Sequence, residues 1–376
     1  MKNSAYLPMP ITVLVFLLMT CTVPKDEPGD IIPPNGQEEI IVQFSDSGQN
    51  LGDSSGLGVD LIDVDSDGYL DAFVSNSDAN KVWINNGSGI FTDSGQALGN
   101  SYSHNADFGD LDGDGDLDAF VANFAGIPDK IWLNNGKGIF TDSGQSLGNS
   151  SSLDVDLGDF DGDGDLDAFV VGDYRKIWLN DRSGNFTDSG QTLGLTDSWS
   201  VECADVDNDG DLDAIVANIG PNEIWLNDGS GNFSDSGQAL GNVDSRGVDI
   251  GDLDGDNDYD AFFTNYNQPD KIYLNDGSGV FTDSGQNLGN GLGYCIRLGD
   301  LNNDSDLDAF IANYDNKPNI VWLNDGTGIF TSNGQYLGDS SSVGVDLGDV
   351  DGDGDLDAFI ANYFDEPDKV WLNDLH

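Results

Sequence analysis

The sequence predicts an all-β fold: a seven-bladed β-propeller of four-stranded blades, closed by an N-terminal strand that completes the last blade. Three observations carry the prediction. A nine-residue acidic phrase occurs seven times, each recurrence brings four β-rich segments, and one surplus strand precedes the first phrase while the last recurrence lacks its fourth.

The phrase begins at Asp63, Asp110, Asp159, Asp205, Asp252, Asp300 and Asp349, at intervals of 47, 49, 46, 47, 48 and 49 residues. In its cleanest form it reads D-L-D-G-D-G-D-L-D. A period of this size, with one supersecondary unit per copy, marks a repeat architecture.

Carboxylates at alternate positions of a tight loop converge on one point, and a hard cation such as Ca²⁺ takes about six to eight oxygens. Positions 1, 3, 5 and 9 offer side-chain oxygens. Position 7 offers its backbone carbonyl, because Tyr69 stands there in the first copy. The expected ligands are Asp63, Asp65, Asp67, Tyr69 and Asp71 in the first loop and Asp110, Asp112, Asp114, Asp116 and Asp118 in the second. The third has Asp159, Asp161, Asp163, Asp165 and Asp167, and the fourth Asp205, Asp207, Asp209, Asp211 and Asp213. The fifth has Asp252, Asp254, Asp256, Asp258 and Asp260, the sixth Asp300, Asn302, Asp304, Asp306 and Asp308, and the seventh Asp349, Asp351, Asp353, Asp355 and Asp357. Up to seven Ca²⁺ are expected as cofactors. Without a cation, such closely spaced carboxylates repel one another.

Position 6 needs a left-handed residue, which Gly adopts at little cost. It is Gly in five copies, Asn257 in the fifth and Ser305 in the sixth. Asn302 also replaces an Asp, so the sixth site is expected to be the weakest. An EF-hand would carry a bidentate Glu at position 12. Here Val74, Val121, Val170, Val216, Phe263, Ile311 and Ile360 stand there, so the chain has already entered a buried strand. The loops join strands, not helices. The long period also excludes a nonapeptide β-helix.

In the second and third copies the four segments are clear. A short alternating run (155–158) precedes the loop and an apolar run (117–123) follows it. Then come 130–134, an Asn-Gly or Asp-Gly turn, and 138–145. These runs are rich in β-branched and aromatic residues and bounded by turn signals. Asn135-Gly136 and Asp228-Gly229 read as two-residue hairpin turns. The fourth-strand Phe recurs at Phe44, Phe91, Phe140, Phe186, Phe233, Phe281 and Phe330. The Phe44 copy stands ahead of the first loop with no blade of its own. The simplest account is that it closes the seventh blade, which removes an exposed edge. One domain then spans residues 41–376. Trp83, Trp132, Trp178, Trp225, Trp322 and Trp371, with Tyr273, share one strand position and are expected to pack between blades.

On the phrase D-x-D-x-D-G-x-x-D between two strands, seven times over, the chain resembles the FG-GAP/VCBS repeat family and is similar to the propeller of integrin α subunits. The resemblance covers residues 41–376. It implies a seven-bladed propeller with Ca²⁺ in loops on one face, and it leaves adhesion, sugar binding and catalysis open. A full set of seven loops is more like bacterial VCBS proteins than integrins.

Residues 1–20 hold Lys2 and an apolar run too short to span a bilayer, a signal-peptide pattern. The run ends in Leu18-Met19-Thr20-Cys21, which resembles a lipoprotein box with Cys21 as the lipidated residue. Residues 21–40 hold Pro24, Pro28, Pro33 and Pro34 and read as a disordered tether. The expectation is an exported chain, lipid-anchored to the cell envelope or otherwise secreted, and monomeric. Cys203 and Cys295 lie at strand offsets of opposite parity, two blades apart, so they read as buried thiols rather than a disulfide. The net charge is −56. Seven Ca²⁺ would bring it to about −42, which excludes nucleic acid and anionic lipid surfaces as partners.

The face opposite the cation loops gathers Phe124, Tyr266, Tyr314 and Tyr363 from one set of loops, and His104, Trp199, Arg246 and Tyr294 from the starts of the first strands. Rings with a few polar groups suit an extracellular protein or glycan ligand. Asp60, Asp107, Asp156, Glu202, Asp249, Arg297 and Asp346 recur three residues before each loop. They are expected to bond to backbone in adjoining blades, with a ring around a central channel as the alternative. The chain has only two His, His104 and His376, and no nucleophile–His set is legible. A binding or adhesion module is expected. A lectin or a polysaccharide-degrading enzyme is the alternative, since a glycosidase needs only two carboxylates.

Overall fold

The computed structural model describes residues 42–52, 55–194, 197–289 and 291–375. The signal peptide, Cys21 and the tether lie outside these residues. Among the described residues every regular element is a β-strand. Antiparallel four-stranded units repeat along the chain, an arrangement consistent with a β-propeller. The second unit shows the pattern: Ser103–Gly109, Asp118–Asn123, Lys130–Leu133 and Thr141–Asp142, paired in that order.

The acidic loop joins the first strand of each unit to the second. The second strand is buried on both faces: all six residues of Asp118–Asn123 are inaccessible. That explains its unbroken apolar run, since a strand covered on both sides does not alternate. All seven position-12 residues lie in the core.

Among the described residues there are six sheets, five of four strands and one of seven. The seven-stranded sheet arises because Asp213–Asn227 runs unbroken through what the sequence divides into two strands. Its middle pairs with Leu240–Gly251 of the next unit, Ile219 opposite Asp244. Phe44–Asp46 pairs with Lys369–Asn373, Phe44 opposite Asn373. The surplus N-terminal strand therefore completes the last sheet.

Three recurring contacts fasten each unit to its neighbour. The Gln after each fourth strand clasps the next unit: Gln96 accepts from Phe140 N–H at 2.9 Å and donates to the Gly138 carbonyl at 2.6 Å. The Asn closing each third strand donates to a loop carbonyl of the preceding unit, as Asn134 does to Val64 at 2.8 Å. Fourth-strand Phe rings meet second-strand Phe rings edge-on, as Phe186 meets Phe120 at 5.3 Å. Such pairs contribute roughly 0.5–1.5 kcal/mol each beyond burial. All three contacts also join the first and last units. Phe91 N–H donates to Gln49, Asn85 donates to the Val350 carbonyl, and Phe91 meets Phe359. The recurring Trp side chains pack into the clusters between units, as Trp132 does beside Phe73 and Leu98.

Two expectations are corrected. The Asn-Gly turns are wider than two-residue hairpins. Asn86 N–H reaches the Ile90 carbonyl, and only the glycines, Gly87 and Gly89, take positive φ. The two thiols, Cys203 and Cys295, are free but half-buried rather than buried. Cys295 lies beside a small cavity under the first strands.

Between second and third strands, a buried carboxylate or amide caps the loop. Asp129, Asp270 and Asp368 accept from the N–H of Asn123, Asn265 and Asn362. Asn80, Asn222 and Asn319 do the same in other units. Burial pushes Asp270 up to about 8, against one lowering backbone bond. The folded state then holds a proton that the unfolded chain releases near pH 4. That stabilisation is full below pH 4 and is lost as pH rises through 8. Asp270→Asn, which supplies the amide already used at the equivalent positions, is expected to raise the melting temperature by a few degrees at pH 9. At pH 5 it should change little, and thermal melts at the two pH values check this.

Candidate functional site

Each acidic loop is a chain of carboxylate-to-backbone bonds. In the first loop Asp63 accepts from Asp67 and Gly68 N–H, and Asp67 accepts from Tyr69 N–H. The position-9 carboxylate is the deepest. Asp71 takes Asn85 N–H at 2.8 Å on one oxygen and Val64 N–H at 3.3 Å on the other, tying the loop to the third strand. Position 6 is left-handed throughout, with φ from 90° at Gly164 to 98° at Gly210. Asn257 and Ser305 adopt it at 70° and 78°. Position 4 is left-handed as well (Ser66, Asn208, Asn303), which the sequence reading did not anticipate.

The carboxylate oxygens of positions 1, 3 and 9 gather within 4.8 Å of one another, as in Asp63, Asp65 and Asp71 or Asp252, Asp254 and Asp260. Position 5 lies in the same loops and offers further oxygen. The position-7 side chains turn away. Asp116 lies against Gly136 and Tyr69 against Gly87, where a Cβ on either glycine would collide with them. At position 7 the backbone carbonyl is then the group left to offer.

The electrostatics fit a cation. Burial and the neighbouring carboxylates raise Asp65, Asp112, Asp161, Asp207, Asp254 and Asp351. Burial, against lowering backbone bonds, lifts Asp71, Asp167, Asp213, Asp260, Asp308 and Asp357 to about 7 and Asp118 to about 6. Asp65 and Asp254 each keep a buried oxygen with no hydrogen-bond partner. All-oxygen carboxylate sets suit hard divalent ions. In the sixth loop Asn302 points its amide at Asp304, donating at 2.8 Å, a donor where the other loops offer an acceptor.

The second feature lies at the other end of the first strands. Every first strand carries a β-bulge near its start, and the bulged residues are Leu57, His104, Leu153, Trp199, Arg246, Tyr294 and Val343. A bulge re-aims its side chain. All seven line one cavity of about 320 Å³, together with Tyr102, Phe124, Tyr266, Tyr314 and Tyr363. The structure thus brings all eight sequence-predicted ligand-face residues into one aromatic cup. The sequence reading missed Leu57, Leu153, Val343, Tyr102 and Phe364. For the first three the signal was the bulge position shared with His104 and Trp199. Phe364 is 56% exposed, with φ of 62°, and its ring lies 4.4 Å from that of Tyr363.

Inside the cup, the Arg246 guanidinium sits 3.7 Å over the Trp199 ring and 5.2 Å from Tyr266. Asp244 holds it by two contacts of 2.6 Å. Trp199 meets His104 and Tyr294 edge-on, and Tyr294 stacks on Tyr314 at 5.7 Å. Tyr102 and Tyr363 share a hydroxyl bond of 3.1 Å. His104 Nδ1 lies 2.8 Å from the Leu153 carbonyl, and burial pushes the imidazole down to about 4.

Below the cup, four of the residues three before each loop bond as expected: Leu61, Leu157, Cys203 and Leu298 N–H donate to Asp346, Asp107, Asp156 and Asp249 of the neighbouring units, while Asp60 keeps a buried oxygen without a partner. They also face one another around Arg297, which pairs with Asp346 at 3.3 Å and Glu202 at 3.7 Å. Burial first, and mutual repulsion second, raise Asp60, Asp156 and Glu202 well above the carboxylate range.

Comparisons with known proteins agree with this architecture. Three solved structures are similar in fold. An Agrocybe aegerita lectin that recognises non-reducing terminal N-acetylglucosamine is 19% identical, with a TM-score of 0.50 over 80% of this chain and 94% of the lectin. BBS1N, solved in complex with ARL6DN, is 10% identical, with a TM-score of 0.61 over 89% of this chain and 97% of that one. A catalytically inactive virginiamycin B lyase from Staphylococcus aureus, solved with quinupristin, is 14% identical, with a TM-score of 0.58 over 89% of this chain and all of that one. At these identities the likeness is one of fold alone. No curated protein matches the sequence. The FG-GAP-like repeat model matches six overlapping segments, 63–121, 110–170, 159–216, 205–263, 252–311 and 300–360. The chain belongs to the FG-GAP-like repeat family.

Proposed function

We propose that the chain is a calcium-dependent binding module: a closed, seven-bladed propeller with Ca²⁺ in its loops and a ligand in the aromatic cup at the opposite end of the first strands. The observation that carries this reading is the set of seven bulges. Each re-aims one side chain into the same cavity, and packing alone gives no reason for that. The Gln49, Asn85 and Phe91 contacts, which run from the last unit back to the first, support ring closure. Loop carboxylates clustered within 4.8 Å support the cations. An exported chain meets abundant Ca²⁺, so the sites need only bind at roughly 10⁻⁴–10⁻³ M. Cys21, if lipidated, anchors the module to the envelope, and the ligand is an extracellular glycan or protein.

Binding is favoured over catalysis because the polar groups of the cup are held in place. Asp244 grips Arg246, and His104 is committed to the Leu153 carbonyl. The test is a glycan and matrix-protein array probed with residues 41–376, with and without EDTA. A saturable signal that disappears in EDTA is expected. Trp199→Ala should weaken it at least tenfold and shift the melting temperature by less than about 2 °C, since Trp199 lies outside the inter-blade clusters. Binding that survives Trp199→Ala would move the site elsewhere.

A further inference from the structure

Resting on the reading of the cup as the binding site, we infer that its ligand is uncharged: the terminal ring or rings of a neutral glycan. Beside its Tyr hydroxyls, the cup presents a guanidinium donor and an imidazole acceptor. Asp244 accepts from Nη2 of Arg246 and lies 2.6 Å from its Nε. Nη1 has no hydrogen-bond partner among the described residues. Asp244 pairs with the guanidinium, which fixes Arg246 as a positioned N–H donor.

His104 supplies the complement. A carbonyl can only accept, so the 2.8 Å contact to Leu153 places the proton on Nδ1. Nε2 is then the lone-pair side, on a residue that lines both the cup and the small cavity beneath it. A donor and an acceptor side by side match a hydroxyl or an amide, groups that are both at once.

Charged ligands face opposition from both signs. A cation meets Arg246. An anion meets Asp244 behind Arg246, Asp154 in the cavity beneath, and a chain of net charge −56. Rings with polarised C–H faces match what remains: Trp199, Tyr266, Tyr294 and Tyr314, with the exposed Phe364 beside Tyr363. At about 320 Å³ the cup lies at the small end of the roughly 300–1,000 Å³ typical of ligand sites. It suits a chain terminus, not an internal stretch.

The experiment is calorimetric titration of the Ca²⁺-loaded full chain with four probe classes: methyl glycosides of neutral hexoses and N-acetylhexosamines, uronic acids, choline, and a lysine-rich peptide. Neutral sugars are expected to bind with an affinity unchanged between about 50 and 500 mM NaCl, where exposed charge pairs would be screened. Arg246→Met and His104→Phe should each cost at least tenfold. His104→Gln, which keeps an acceptor, should retain part of the affinity, with melting temperature as the folding control. Binding of only charged probes, lost in Trp199→Ala, overturns the uncharged ligand and leaves the cup as the site. Neutral sugars bound equally by wild type and Trp199→Ala overturn the inference. No binding by any probe or array overturns the cup itself.

Discussion

With Ca²⁺ in the loops as proposed, chelation is expected to lower the melting temperature by about 20 °C. A ligand present at ten times its dissociation constant stabilises the folded state by about 1.4 kcal/mol per site, so seven sites give about 10 kcal/mol. For a domain of this size each kcal/mol moves the midpoint by roughly 2 °C. The loops have little to offset the loss. With no cation, their position-9 carboxylates sit near 7 instead of in the usual acid range, which is the sign of charge held close and dry. Asp112→Asn separates the metal from the loop's own bonding, because position 9 also clamps the third strand and position 3 does not. It should cost about 1–1.5 kcal/mol in calcium and nothing in EDTA. A calorimetric scan showing a shift under 5 °C on chelation would mean that the loops hold as bare acidic turns.

Much of this was legible because each repeat spells out its own geometry. Asp at alternate positions, Gly or Asn at position 6 and an apolar residue at position 12 fix a loop between strands and require no long-range knowledge. Phe44 without a blade, set against a final unit lacking its fourth strand, gave the pairing with Lys369–Asn373. Trp199 stood out as the one Trp off the repeated position. What stayed hidden depends on neighbours. Gln96 looks like a polar residue at the end of an exposed strand, and only the adjoining unit shows that its amide clasps Phe140 and Gly138. A bulge leaves no mark within a single strand, so Leu57, Leu153 and Val343 read as ordinary strand residues unless aligned with His104 and Trp199 across the repeats. The unbroken run Asp213–Asn227 was hidden for the opposite reason. Gly220 and Pro221 signal a turn, and the pairing to Leu240–Gly251 overrides them.

Arg297→Met is expected to destabilise the fold by about 3 kcal/mol at pH 8 and by far less at pH 5. Arg297 is the single cation at a position filled by carboxylates in the other six repeats, and it reaches both Glu202 and Asp346. Removing one partner from a buried charge cluster costs roughly 3–5 kcal/mol. The low end applies because the side chain keeps 26% exposure. The pH dependence follows from the acids left behind. Burial and mutual repulsion already raise Asp60, Asp156 and Glu202 well above the normal range, and burial lifts Asp107 to about 6. A raised carboxyl gives stability below about pH 4 that is lost as pH climbs through its folded value. Arg297 holds Asp60 and Glu202 down, so without it these two move higher still, and the loss deepens with pH and shrinks where the acids are protonated. Chemical denaturation of wild type and variant at the two pH values measures this directly. An equal loss at both would mean that Arg297 acts through its packing and its bond to the Ile296 carbonyl, and that the acids around it carry no charge in either condition.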